Sequence, residues 1–259
     1  MFKLCVLESS SKGNATFIRI DETRFLIDAG ISAHKIERSL KEIGENITDL
    51  TNVIITHEHN DHIKGIKTLS KRYQCKFWMT FEVYQKIRKK TGAIDADFID
   101  IGESIHFNEI EIVPYEINHD AINPVAFLIS RDRIPLIGYL NDCGFPSPFV
   151  LDGFRNVKIL IVEANHSFDL LLRSSYPESL KYRILGSKGH LSNWHTGEFI
   201  SITTPQIVIL SHISEQNNDP STALAEIESI LEYKKNFNPP FFVIVPPNER
   251  CTLIQASRI

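Results

Sequence analysis

Three histidines and an aspartate fall within one hexapeptide, His57-Glu58-His59-Asn60-Asp61-His62. Neutral imidazole and carboxylate suit zinc and related divalent ions. The apolar run Val53-Ile54-Ile55 leads into the motif, so the motif stands at the end of a buried strand. In an extended chain, residues two apart point the same way. His57 and His59 can therefore grip one ion. The chain then turns, and Asp61 and His62 can face a second ion beside it. A lone histidine would carry little weight, because most are surface or hydrogen-bonded core residues. Four ligand-type residues in six positions form a strong pattern.

A hexapeptide cannot complete two coordination shells. The remaining ligands have to come from loops that follow other strands. Three places fit. His119 follows the strand-like EIVPYEI, Asp142 follows IPLIGYL, and His212 follows IVIL. Other groups have weaker claims. His190 in GHLSN can bind a phosphate or protonate a leaving oxygen, or it can simply cap the helix that begins near Ser192. Ser192, Asn193 and His166 are expected to touch substrate, although His166 is equally suited to orienting a ligand. Asn14 either lines the site or belongs to a plain turn. Asp28, after Phe25-Leu26-Ile27, is expected to buttress the ligand loops, since metal-bound imidazoles need oriented partners. His34, His106 and His195 receive no role.

The order HxHxDH, His, Asp, His resembles that of the metallo-β-lactamase superfamily. SSSKGNAT, LIDAGIS at 26–32, THEHNDHIKGI at 56–66, NHDAINPVAF at 118–127, EANH at 163–166, GHLSN at 189–193 and LSHISEQNN at 210–218 resemble its YycJ (WalJ)-type branch of cytoplasmic hydrolases. The resemblance implies an α+β fold, an αββα four-layer sandwich with a metal site at one edge. It assigns His57, His59 and His119 to one ion, and Asp61, His62 and His212 to the other, with Asp142 bridging. It implies exonuclease action on DNA from the 5′ end, a role in mismatch repair, and zinc or manganese as the two divalent ions. The chain departs from the branch at Asn141 and Cys143, where Thr-Asp-x-Gly is expected, and at Trp194-His195. Asp142 survives that departure.

The chemistry agrees with a phosphodiester. Two divalent cations outweigh the negative charges of Asp61, Asp142 and a bridging hydroxide, so the site stays positive and favours an anionic substrate. Metal-bound water ionises near neutral pH, and the hydroxide would attack phosphorus in line. Asp61, Asp142 and His190 are the expected catalytic groups. Residues 64–90 hold Lys64, Lys67, Lys71, Arg72, Lys76, Lys86, Arg88, Lys89 and Lys90 against Glu82 alone, within a chain of net charge −4. That block could hold a polyanion, or it could be an ordinary solvated helix face.

The elements that must position these groups can be read from the apolar pattern. Strands are expected at about 2–8, 15–20 and 24–28, followed by a helix near 32–43 with Ile36, Leu40 and Ile43 on one face. A helix is expected to start near Ile63. The stretch 98–140 reads as all-β, with strands at 110–117, 125–130 and 134–140. A strand at 157–162 leads into a less regular region at 164–195. The end reads as strand 207–210, helix 221–234 and strands at 241–245 and 251–255. Strands with helices inserted in both halves fit two sheets with helices outside.

Composition adds bounds. The 259 residues, 42% hydrophobic and 23% charged, are expected to form a single hydrolase domain over 1–259 with a substantial core. The four cysteines form no CxxC pair, which excludes a zinc ribbon and points to a reducing compartment. The Leu4–Leu7 stretch is too short for a secretory core, and no run reaches the ~20 apolar residues of a membrane span, so a cytoplasmic protein is expected. A DNA partner and no membrane partner follow; oligomeric state stays open. Competing readings are a thioester or lactone hydrolase with the same ligands, and a metal-stabilised binding module without turnover. A lost ligand would mark the latter, and none is missing. A diiron oxidoreductase would want a carboxylate where His59 stands.

Overall fold

Runs of apolar residues, buried on both faces in the central strands, build the two sheets. The computed structural model describes residues 1–234, 238–251 and 253–257. The first half contains β1 (Phe2–Ser10), β2 (Gly13–Ile20), β3 (Thr23–Ile27), α1 (Ala33–Glu42), β4 (Asn52–Ile54), α2 (Asn60–Ile63), α3 (Ile66–Arg72), β5 (Lys76–Met79), α4 (Phe81–Thr91), β6 (Ala96–Phe98) and β7 (Ile105–Phe107). The second contains β8 (Ile110–Glu116), β9 (Val125–Arg131), β10 (Ile134–Leu140), α5 (Pro148–Gly153), β11 (Ile159–Glu163), α6 (Phe168–Arg173), α7 (Glu178–Leu185), α8 (Asn193–Thr203), β12 (Ile207–Ser211), α9 (Pro220–Tyr233), β13 (Phe241–Ile244) and β14 (Ile254–Ala256).

Two seven-stranded sheets result, ordered β14-β1-β2-β3-β4-β5-β6 and β13-β12-β11-β10-β9-β8-β7. Strands β3 to β6 run parallel, as do β10 to β13. Side-chain alternation sorts the second sheet's residues to its two faces. Ile159, Ile161 and Ile209 join the large core with the first sheet, whereas Leu160, Val162, Val208 and Leu210 join a second core with Phe199, Ile200, Ala223 and Ile227 of α8 and α9. Ile36 and Leu40 of α1, Ile66 and Leu69 of α3, and Val83 and Ile87 of α4 cover the first sheet. This is an α+β fold, the αββα sandwich that the family resemblance implies.

Three differences matter. The motif helix starts at Asn60 rather than near Ile63, because His59 already has extended backbone at its N-cap. The stretch 164–195, expected to be less regular, holds the short helices α6 and α7 with loops between them. Both are short, and Ser174 and Pro177 divide them, so neither spans enough turns to show a clear 3.6-residue period. The last strand forms at Ile254–Ala256 and not 251–255; residue 252 lies outside the described residues. Among the described residues no helix is long and apolar enough to cross a membrane.

Candidate metal centre

The C-terminal ends of β3, β4, β10, β11 and β12 meet at one edge of the two sheets, and the ligand-type residues follow those ends. Asp28, Asp142 and His212 all adopt left-handed backbone there, with φ of 62, 55 and 49°. Non-glycine residues avoid that region, so its use at three strand ends marks positions held by their surroundings. Gly30 lets the loop after β3 press on the motif. A Cβ at Gly30 would lie 1.5 Å from the Asp61 carbonyl oxygen, and the backbone ties Ala29 N to His62 O at 2.9 Å.

One cluster joins His57, His59 and His119. His57 Nε2 and His119 Nε2 lie 3.0 and 3.3 Å from His59 Nδ1. Their other ring nitrogens are engaged. His57 Nδ1 sits 2.9 Å from the Thr56 hydroxyl, which itself donates to Asp28, and His119 Nδ1 sits 3.3 Å from the Gly189 carbonyl. That pattern puts the protons on the outer nitrogens and the lone pairs toward a common point. Burial, helped by neighbouring His62, pushes the His57 imidazole well below its ordinary pKa, and burial lowers His119 also. Both are therefore neutral, the form that binds a cation.

The adjoining cluster centres on Asp142, which is 3% exposed. Its Oδ2 lies 3.0 Å from His62 Nε2, and its Oδ1 lies 3.4 Å from His212 Nε2. Asp61 Oδ2 stands 3.4 Å from His62 Nε2. Asp28 takes the far side of His62, with Oδ2 2.8 Å from Nδ1. Burial opposes charge on both groups. Even so, the facing His212 and His62 hold Asp142 well below the carboxylate range, while Asp28 and Asp142 push His62 well above the usual imidazole value. Such a cluster demands positive charge between His62 and Asp142, either a proton or a metal ion. His212 Nε2 is buried with no hydrogen-bond partner, as a metal ligand would be. Imidazole and carboxylate donors at these positions fit divalent ions. Groups with ligand atoms within 4.8 Å of one another are His57/His59/His119, His57/His62/Asp142, Asp61/His62/His212 and Asp142/Glu163/His190/His212.

A chamber of about 290 Å³ opens on the centre, lined by Ser11, His59, Asn60, Asp61, His119, Asp142, Arg183, His190 and His212. His190 is thus at the site, as expected. The other expected substrate contacts do not line the chamber. Ser192 is fully covered and caps α8, accepting from His195 N at 3.2 Å. Asn193 is fully covered and donates to Asn218 and Glu226 at 3.1 and 2.9 Å. His166 is 1% exposed and has no hydrogen bond on either ring nitrogen; burial drops its pKa to about 3. Asn14 touches ligands rather than open space, 3.3 Å from Asp61 Oδ2 and 3.1 Å from His62 Nε2. All four are buried, and none of them lines the chamber.

Glu163 was given no role by the sequence reading, yet it is fully buried at the end of β11. It accepts from Cys143 N at 2.6 Å and lies 2.9 Å from His190 Nδ1. Burial would lower the His190 pKa, but Glu163 and Asp142 raise it to about 9. A carboxylate at a strand end, the same address as Asp142 and His212, was the signal available. Glu58 was missed also: it accepts from Ile122 N at 3.0 Å and pins the 118–124 loop that carries His119. Arg183 on α7 gave no sequence signal. Cys143 is buried in the apolar core of the second sheet.

Residues 23–213 match the family model described as the beta-lactamase superfamily domain. The chain is 32% identical over 225 residues to the exodeoxyribonuclease WalJ of Streptococcus pneumoniae serotype 2, covering 84% of this chain and 83% of that protein. It is 30% identical over 236 residues to the exodeoxyribonuclease YycJ of Bacillus anthracis, covering 88% and 89%. Among solved structures, the metallo-beta-lactamase fold protein YhfI from Bacillus subtilis superposes with a TM-score of 0.73 at 14% identity over 96% and 98% of the two chains.

Proposed function

The chain belongs to the β-lactamase superfamily, in its YycJ (WalJ)-type branch, and on that premise we propose that it is a two-metal phosphodiesterase degrading DNA from a 5′ end. It is a metal-dependent hydrolase of the metallo-β-lactamase fold. The single observation that carries the two-metal reading is Asp142, a buried carboxylate with one oxygen 3.0 Å from His62 and the other 3.4 Å from His212. His57, His59 and His119 would hold one ion, and Asp61, His62 and His212 the other, with Asp142 shared. Divalent ions bound there supply Lewis acidity and an activated water at neutral pH.

The chain's own residues do the rest. Thr56, Asp28 and the Gly189 carbonyl fix the ring orientations of His57, His62 and His119. Glu163 holds His190 at the chamber wall with its Nδ1 engaged, so Nε2 is free to hand a proton to a leaving oxygen. Lys64, Lys67, Lys71, Arg72, Lys86, Arg88, Lys89 and Lys90 are exposed on α3, α4 and the turn before them, suited to a polyanion's backbone. Both halves of the chain supply ligands, which supports one hydrolase domain over 1–259. DNA as substrate rests on the relatives' names together with this basic surface.

The test is incubation of purified protein with end-labelled single- and double-stranded DNA and RNA under zinc, manganese and magnesium. Shortening of DNA from its 5′ end with one of these ions is expected. Hydrolysis of thioesters or lactones with no cleavage of any nucleic acid would return the site to the small-molecule reading.

A further inference from the structure

The metal chamber does not end at His190. A second chamber of about 160 Å³ continues beneath α7, lined by Asn165, Tyr176, Leu180, Ile184, Ser214 and Asn217 among others. Ser11, Arg183, His190 and His212 line both chambers. The lining is mixed: Leu180 and Ile184 of α7, Ile213 and Tyr176 supply apolar surface, and Asn165, Ser214 and Asn217 supply polar groups. Asn217 is 1% exposed, and its Oδ1 has no hydrogen-bond partner. Its Nδ2 reaches Ser214 Oγ only at 3.5 Å. Whichever way that amide is turned, one polar atom faces a hydrogen bond that the protein does not make. Native proteins seldom leave such atoms buried without a reason.

A nucleobase has apolar faces and an edge of N–H donors and carbonyl or ring-nitrogen acceptors. A chamber lined by both apolar side chains and buried amides can meet both. The volume is below the ~300–1,000 Å³ of sites that enclose drug-sized ligands, so it takes one ring system and no continuing strand. Arg183, whose Nε lies 2.6 Å from Asp120, puts a cation where the two chambers join.

We propose that this chamber seats the base of the terminal nucleotide, so that nucleotides are released one at a time. The inference rests on the phosphodiesterase reading above. In the step it implies, water adds to the phosphorus between the first and second nucleotides. The bond from phosphorus to the 3′ oxygen of the terminal nucleotide breaks, and that oxygen leaves with a proton. His190 lines both chambers and stands beside it. The shortened strand keeps the phosphate.

Leu180→Trp fills the chamber, and Tyr176→Ala removes part of its wall; neither residue lines the metal chamber. The substrates are a 5′-labelled oligonucleotide, read by product length, and bis(p-nitrophenyl) phosphate, which has no base to seat. Mononucleotide release should fall about 10-fold or more in both variants, the scale of losing one stacked base. Hydrolysis of the small diester should be unchanged in Tyr176→Ala, which decides the matter if Leu180→Trp misfolds. Wild-type mononucleotide release by both variants overturns the subsite. Internal cuts alone by the unaltered enzyme overturn it while leaving the nuclease reading intact. Cleavage of the small diester with none of DNA or RNA overturns both.

Discussion

His190 and His212 stand side by side, their rings stacked with centroids 5.3 Å apart, and the structure offers two accounts of the pair. In the first, His212 is a ligand and His190 a proton donor. In the second, one ion lies among Asp142, Glu163, His190 and His212, whose ligand atoms are all mutually close. The hydrogen bonds favour the first. His190 Nδ1 is 2.9 Å from Glu163 Oε2, while His212 Nε2 has no partner. His190→Ala should keep the full metal content while kcat falls ~100-fold or more, the usual scale for a general acid. That equals roughly 2.7 kcal/mol of transition-state stabilisation. Glu163→Gln should fall by about 10- to 100-fold, because a buried hydrogen bond to a charged group is worth about 1.5–3 kcal/mol. His212→Ala should lose about one ion of two per chain. Elemental analysis and single-turnover rates on a phosphodiester, measured on all three variants, supply both readouts. The reasoning is refuted if His190→Ala or Glu163→Gln loses an ion, or if His212→Ala keeps both.

Asp142→Asn should abolish activity and loosen every bound ion, since His62 and His212 face its two oxygens; Cys143→Ser, an apolar-core position, should leave metal content unchanged. Atomic absorption on the two proteins checks this. Neutralising Lys86, Arg88, Lys89 and Lys90 together should weaken DNA binding without removing metal, and should lower the salt slope by up to about 0.9 per lost phosphate contact. Fluorescence anisotropy across a salt series reads it, and an unchanged slope makes that face an ordinary solvated one. Glu45 tests stability away from the site: its side chain is 2% exposed, with Lys3, Arg19 and Arg24 at 2.6, 3.1 and 3.3 Å. Glu45→Gln removes the buried charge facing three cations, of which Arg19 and Arg24 keep Glu22, and should cost about 3 kcal/mol, roughly 6–12 °C in Tm. Burial opposes the Glu45 charge, yet Lys3 and Arg19 bring its pKa below the usual value. The contribution should therefore be complete above the unfolded pKa of about 4.3 and fade as pH falls through the lower folded value. A difference from wild type that persists undiminished in strong acid would show that the ion pairs are not its source.

The candidate ligands that the structure brings together could be picked from the sequence because they depend on local pattern. Four ligand-type residues stand in one hexapeptide, and His119, Asp142 and His212 each follow a strand-like run. Strand ends are set by which residues are apolar and where that run stops, so His119, Asp142 and His212 could be picked without coordinates. Burial of a polar side chain is different, because it depends on what packs over it from distant parts of the chain. Asn193 looked free to meet a substrate until α9 brought Glu226 to its amide. Ser192 became the cap of α8, and His166 was sealed beneath its neighbours. Glu163 was passed over because its partner, His190, arrives from 27 residues away. Helix α7 carries the residues that shape the second chamber, yet it is too short and too weakly patterned to be read, and only packing against the site gives Leu180, Arg183 and Ile184 their positions. Composition and spacing decide which atoms can bind metal; the long-range meeting of two sheet edges decides which of them share an ion and which side chains are left facing a substrate.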